Sequence, residues 1–427
     1  MLDVNLCNRR LTSMAQRRGR CRQPMRRPVA LGLFLLPGCR THARKPICPL
    51  PYGQSAPLHG TWHRRPRGGF SEHSTCLDGS KRGAPAIFLP NNCTLRRLPA
   101  RALRGRVMLI GDSLMQYQFD ALLAWQRRSG LPLRCRPFKQ PSLISDVPRS
   151  DDAKNTRATR RRAAVRELLT KSRYDGEPQD CSRPGLQLMV RRLNLLPADD
   201  AELDHALNVL LAPLGERGVA VLNVGLWYGP LARHSAFSVN GGGSHAEQRS
   251  VAAALAFLHS SVESLVRAAC ARSGWPKLLW REHTPQHFGS GGEYNASSPA
   301  ASAGCRPLSQ REARTMHNKL SAPALRTFRH AHEQSGQCKQ RIGVLPAFWP
   351  LVPRHADHEG FRSRRGARAD CTHFLPCSGS MMFLNQMLVH GVVDATARQS
   401  ASAAELPQQD ARRSRRRAAR RRQHTSS

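Results

Sequence analysis

Arg106-Val107-Met108-Leu109-Ile110-Gly111-Asp112-Ser113 is an aliphatic run that stops abruptly on a glycine, an acid and a serine. The run predicts a buried parallel strand over 106–110. The segment after it predicts a helix over 114–128, with Leu114, Tyr117, Phe119, Leu122 and Trp125 forming a broad apolar face. A helix starting there aims its free backbone N–H groups at whatever lies over the serine. Gly111 permits a tight turn that a side chain would obstruct, and Asp112 can accept hydrogen bonds from the loop or the helix start. Ser113 thus stands at the carboxyl end of a strand, where α/β proteins bind ligands. The plainer alternative for Gly-Asp-Ser is a helix cap and nothing more.

Outward from this unit the pattern repeats. Strands are expected over 186–196, 219–224, 277–282 and 340–345, and helices over 201–211, 245–271, 309–332 and 380–392. Ser309 is a plausible cap, and Pro323 should break or kink its helix. Alternating strands and helices imply an α/β fold, a parallel sheet covered on both faces with right-handed crossovers, in a domain over 101–395. Within it, 139–184 reads as a polar insertion with one short helix near 163–169, and 290–303 as a Gly/Ser-rich loop that could flank a cleft. Residues 48–100, rich in Pro, Gly and Cys, read as an irregular disulfide-pinned subdomain. No internal repeat is evident.

Far downstream stands Asp370-Cys371-Thr372-His373. The acid and the imidazole are three positions apart, so one loop or turn can hold them together. That contact would fix the tautomer of His373 and stabilise the imidazolium formed when it takes a proton from Ser113. An acid and a histidine at this spacing are also common as a surface pair; it is the serine at the other end of the same α/β pattern that gives the spacing a chemical meaning.

These blocks resemble the GDSL/SGNH-type PC-esterase group, which includes the plant trichome-birefringence-like polysaccharide O-acetyltransferases. Gly60-Thr61-Trp62 is similar to the family's Gly-x-Trp segment, and Asn92-Cys93 to its cysteine-containing lead-in. Asn223-Val224-Gly225-Leu226-Trp227 is similar to its Asn-x-Gly-x-Trp block, and Arg281 with Pro285-Gln286-His287-Phe288 to its Arg-x-x-x-Pro-x-His-Phe stretch. The similarity runs in family order from about Cys48 to about Val393, specific in its blocks and thin between them. It implies a three-layer α/β/α SGNH-hydrolase-like sheet, with Ser113 as nucleophile, His373 as base and Asp370 as its orienting acid. Asn223, with the backbone N–H groups of Ser113 and Gly225, would be the oxyanion hole. The implied activity is transfer of an acyl, in this family acetyl, group to polysaccharide hydroxyls. Acetyl-CoA or an acylated carrier would be the co-substrate, with no bound cofactor, a glycan acceptor, and an acyl-donor protein in the membrane as a possible partner. With water as acceptor the same residues make an esterase. The chain departs from the plant pattern at Gln116 and Tyr117, since those enzymes usually carry Arg-Asn-Gln where this chain has Gln116-Tyr117-Gln118 and only the last matches, at Leu226, where they often have His, and at His283, where Thr or Ser is common. The departures leave the three catalytic positions intact and bear on donor and acceptor choice.

Other side chains are candidates for substrate contact. Trp227, Tyr228 and Trp280 could form a sugar-stacking platform or simply belong to the core. Arg281 could hold an acidic sugar or donor anion by a bidentate contact, or form a structural ion pair. His287 could contact substrate, or be a satisfied loop histidine.

The chain has 427 residues, 67 of them basic, for a formal charge of +38. Such a charge ordinarily indicates nucleic acid. Only eight of the basic residues are Lys, however, and the Arg runs (160–162, the group at 362, 364, 365 and 368, and the tail 412–422) have no interleaved aromatics for base stacking. Nucleic acid is therefore disfavoured as a partner. A polyanionic glycan or anionic membrane face would serve as counter-surface equally well, which leaves a secreted, non-catalytic polyanion-binding protein as the rival to an enzyme. The Arg-rich tail, 396–427, reads as disordered. The leader, 1–47, pairs arginines with a short apolar run over 28–36. That run is too short to span a bilayer and fits a signal-peptide core, a weak anchor or, alternatively, an organelle transit peptide. Of 13 cysteines, ten lie from Cys48 onward, an even number compatible with secretory disulfides and a Golgi or secreted location. Their spacing shows no zinc pattern, so no metal is expected. Asn92 and Asn295 head possible glycosylation triplets.

Overall fold

The computed structural model describes residues 60–64, 86–139 apart from 92 and 96, 143, 159–165 apart from 162, 178–197, 200–233, 244–289, 304–360 apart from 335, and 370–397 apart from 377. The leader, the loop over 290–303, both glycosylation triplets' asparagines and nearly all of the tail lie outside them.

Seven strands form the central sheet: β3 (Gly105–Gly111), β4 (Arg134–Pro137), β5 (Gln179–Arg183), β6 (Leu186–Arg192), β7 (Val219–Asn223), β8 (Lys277–Arg281) and β9 (Ile342–Leu345). Their order is β4-β5-β6-β3-β7-β8-β9. The run from β6 to β9 is parallel, and β4 and β5 add an antiparallel edge. Two further antiparallel pairs, β1 (Gly60–Arg64) with β2 (Ala86–Pro90) and β10 (His358–Gly360) with β11 (Asp370–Phe374), lie outside this sheet.

The opening run becomes β3, at the heart of the sheet, because every one of its aliphatic side chains has a dry face to enter. Val107 and Leu109 point into one cluster with Met115, Phe119 and Leu122 of α1 (Ser113–Arg128) and Leu388, Val389 and Val392 of the closing helix over 379–397. Met108 and Ile110 point into the opposite cluster with Leu203 and Leu207 of α2 (Asp200–Leu211) and Leu258, Val262 and Leu265 of α4 (Ser244–Ala271), α3 being the short turn Tyr228–Arg233. Burial of each such side chain contributes about 1.5 to 3 kcal/mol. By length and composition α4 could cross a membrane, yet one face of it is buried in this core.

Along the parallel run, the strands come second, first, third, fourth and fifth in chain order. The chain leaves β3 towards one face and β7 towards the other, so the carboxyl ends of β3 and β7 flank a topological switch point, where open α/β sheets bind ligands.

Several boundaries differ from the sequence expectation. The sheet is not wholly parallel: β5 falls inside the stretch expected as a polar insertion, and Cys135–Cys181 ties it to β4. β6 stops at Arg192 rather than 196, and residues up to Arg341 expected in the last strand belong to a short helix, α6 (Gly336–Arg341). Residues 48–100 are not wholly irregular, since β1 and β2 pair there and Trp62 packs on Phe88 and Phe383. Pro323 does not break its helix, α5 (Gln310–Gln334). The carbonyl its missing N–H leaves over, that of Lys319, is hydrogen-bonded by the His259 side chain of α4. Cys270–Cys338 and Cys305–Cys371 are also bridged, and Cys93 is disulfide-bonded. Three disulfides among the described residues fit an oxidising, secretory-type environment.

Candidate active site

Ser113 is the first residue of α1, delivered by the turn that ends β3. The turn is tight because Gly111 crosses Asn223 of β7 so closely that a Cβ would stand 2.1 Å from the Asn223 carbonyl oxygen. Asp112 caps the helix, its Oδ1 accepting from the Leu114 N–H at 3.0 Å, while Oδ2 accepts from the Leu226 N–H at 3.3 Å. One carboxylate thus joins the two strand ends at the switch point. Burial pushes the Asp112 carboxyl up, against the pull of these N–H groups and of the Arg281 and His373 charges.

β11 brings the other two residues. Asp370 Oδ1 accepts from the backbone N–H groups of Thr372 and His373, at 3.1 and 3.0 Å, and its Oδ2 lies 2.8 Å from His373 Nδ1. A carboxylate only accepts, so Nδ1 carries the proton and Nε2 presents its lone pair. That nitrogen is 2.8 Å from Ser113 Oγ. Burial acts to raise the Asp370 carboxyl, but the hydrogen bond and charge of His373 and the two backbone N–H groups outweigh it and hold the group below its usual value. Tyr117, one turn along α1 from Ser113, stacks on the imidazole with ring centroids 4.4 Å apart and planes at 24°.

β11 is not in the main sheet, so other contacts fix its place. Cys371 is bridged to Cys305, Thr372 Oγ1 accepts from Gln286 at 3.0 Å, and the Cys371 carbonyl accepts from the His287 N–H at 3.1 Å. The Leu375 N–H donates to the Asp357 carbonyl, and the buried Asp357 carboxylate accepts from Arg354 and from both the N–H and hydroxyl of Ser380.

The remaining predicted residues are placed beneath the site rather than over it. The Asn223 side chain is fully buried: Nδ2 donates to the Arg281 carbonyl at 3.0 Å and lies 3.4 Å from His283 Nδ1, and Oδ1 accepts from the Arg281 guanidinium at 2.8 Å. The Asn223 amide is thus engaged by Arg281 through both its nitrogen and its oxygen, beside the His283 ring. Arg281 is likewise buried, bridging Asn223 Oδ1 and Gln118 Oε1. Burial lowers its guanidinium to about 10, against the attraction of Asp112. His287 is fully buried, with one ring nitrogen against His358 and the other against the Val352 carbonyl. Trp280 and Tyr228 are core residues, whereas Trp227 is half-buried at the rim of the core. Gly225, with φ of +153°, lies against the His283 ring, where a Cβ would meet Cε1 at 2.1 Å. Burial and the Arg281 charge hold that imidazole down at about 3, so it is neutral.

Gln118, Asp357, His358 and the stacking of Tyr117 escaped the sequence reading. Gln118 alone left a trace, a polar residue on the apolar side of α1. Among the described residues, no three His, Cys, Asp or Glu side chains gather as a metal site. A comparison with protein-family models finds no match, and a search of curated proteins finds none either.

Proposed function

We propose that this protein transfers an acyl group, in the first instance acetyl, to polysaccharide hydroxyls through a covalent Ser113 intermediate, on an SGNH-hydrolase-like domain of the PC-esterase kind. The observation that carries the reading is the continuous chain Asp370 Oδ2, His373 Nδ1, His373 Nε2, Ser113 Oγ, each contact 2.8 Å, at the switch point of the sheet. Core packing requires none of these three side chains, and their ordered donor and acceptor roles are those of nucleophilic acyl transfer.

In the first half-reaction Ser113 Oγ attacks the donor carbonyl while its proton passes to His373 Nε2, and the leaving group departs with that proton. In the second, a sugar hydroxyl gives its proton to Nε2 and attacks the acyl carbon, and Ser113 leaves with the proton. Asp370 holds the imidazole in orientation and stabilises its charged form. With Asn223 committed elsewhere, the backbone N–H groups of Ser113 and Gly225 are the oxyanion donors, aided by the amino end of α1. Acetyl-CoA or an acylated carrier would be the donor, and the disulfides agree with a Golgi-lumen or secreted setting.

The test is reaction with a serine-directed fluorophosphonate, followed by incubation with an acetyl donor and oligosaccharides. Labelling should fall by at least about 10³-fold in Ser113→Ala, and acetylated sugar should outpace free acetate. Acetate alone would make the protein an esterase. Absence of labelling in the native chain, with salt-sensitive glycan binding, would replace the enzyme with a binding module.

A further inference from the structure

Two histidines outside the catalytic chain face each other behind it. His287 Nδ1 and His358 Nε2 are 2.6 Å apart. The other nitrogen of each ring meets a carbonyl: His287 Nε2 lies 2.8 Å from the Val352 oxygen, and His358 Nδ1 lies 3.1 Å from the oxygen of His373 itself. Carbonyls only accept, so both outer nitrogens carry protons. Two neutral imidazoles hold two ring protons in all, and both are then accounted for. Two lone pairs would be left pointing at each other across the shortest contact of the three, an arrangement that repels. A third proton, placed between the rings, satisfies all four nitrogens.

We propose that His287 and His358 share one proton between their facing nitrogens, and that the resulting buried clamp is a pH-sensitive positioning device for His373. Its grip on β11 is threefold. His358 holds the His373 carbonyl, its ring stacks on Phe374 with centroids 4.1 Å apart, and the His287 N–H holds the Cys371 carbonyl. The charge has nearby carboxylates to face, Asp357 acting on His287 and Asp370 on His358. Against it stand the His355 ring, 6.3 Å from His287, the His373 imidazole, and Arg354, which is paired with Asp357.

The sign of the response follows from the proton count. The closed clamp binds one proton more than an open one, so raising pH disfavours it. Burial is the leading influence on both rings, taking His287 down to about 4 and His358 well below its ordinary value. The clamp therefore closes on the acid side of an ordinary histidine, titrating as a pair rather than as two sites.

The proton count can be read without any activity, while the rate consequence rests on the acyl-transfer reading of Ser113. With the full chain carrying ¹⁵N-labelled histidine, NMR from about pH 4 to about pH 8 should find one coupled pair with three N–H protons at the acid end, losing one as pH rises. His287→Asn puts an amide donor opposite His358 Nε2 without a third proton, so the variant should lose this titration. Its Ser113 labelling should decline less with pH, the native chain losing ground to it by up to about tenfold per pH unit above the pair's titration. The conservative His358→Gln serves as second variant should His287→Asn not fold. Two rings that stay singly protonated throughout, or variant and native profiles of the same shape, would overturn the proposal. A native chain that shows the three-proton pair yet never labels would sink the acyl-transfer reading and leave the clamp standing.

Discussion

The two halves of the candidate site are built by different physics. Ser113 rides on β3, paired on both sides and buried on both faces, so its place is fixed by the same apolar packing that makes the domain stable. His373 and Asp370 ride on β11, which lies outside the main sheet, pairs only with three-residue β10, and is placed by Phe374 in a separate apolar cluster, a disulfide, side-chain hydrogen bonds and the Asp357 carboxylate. Ser113 is therefore held by the core of the main sheet, whereas His373 is held by contacts outside that sheet. Regions held by few apolar contacts open at lower free energy than the core.

Three experiments would break or sharpen this contrast. Leu109→Ala, on the strand that carries Ser113, should have the largest effect on stability, about 2 to 5 kcal/mol by denaturant unfolding. Labelling of Ser113 per folded molecule should stay near native, and a specific loss there would show that the strand tunes chemistry as well as stability. Replacing Cys305 and Cys371 together by Ser opens a crosslink between residues 66 apart in sequence, a loss of about 2 to 4 kcal/mol. Here the pattern should reverse. Hydrogen exchange in β3 and β7 should remain slow while labelling of Ser113 drops, and an undisturbed rate would mean that the polar contacts alone hold β11.

The smallest effect concerns acid. Asp370 is held below its ordinary carboxyl value in the fold and so binds fewer protons folded than unfolded. The stability it contributes is present above its unfolded value, about 3.9, and is lost as pH falls through the still lower folded one. The stability gap between the native chain and Asp370→Asn should be open at neutral pH and close below about pH 4. A gap that does not change with pH would mean that Asp370 contributes through packing rather than charge.

How much of this was legible in the sequence depends on the range of the forces involved. The aliphatic run, the glycine and the Asp112 cap act within a few residues, so strand, turn, helix and the serine at the strand's carboxyl end could be read directly, as could the helices over 200–211 and 244–271. The Asp370–His373 contact was readable for the same reason. The antiparallel edge was not: β4 and β5 are joined across the 139–184 stretch, whose polarity hid a short strand that pairs through backbone rather than apolar pattern. Pro323 misled because the partner of the Lys319 carbonyl, His259, comes from another helix. For Asn223 and Arg281 the sequence leaves both a ligand contact and a structural pairing open, because a polar residue at a strand end has two possible directions, and only the neighbouring strand decides which partners it meets.

Taken alone, the chain determined an α/β domain and singled out Ser113, Asp370 and His373, because periodicity and turn chemistry are local. Only the folded molecule decided that His373 reaches Ser113 across 260 residues, that the amide and guanidinium beneath them face each other, and that the rings of His287 and His358 meet nitrogen to nitrogen. Those outcomes depend on which lone pairs and donors are brought together in a dry interior, where every partner must be supplied by the fold.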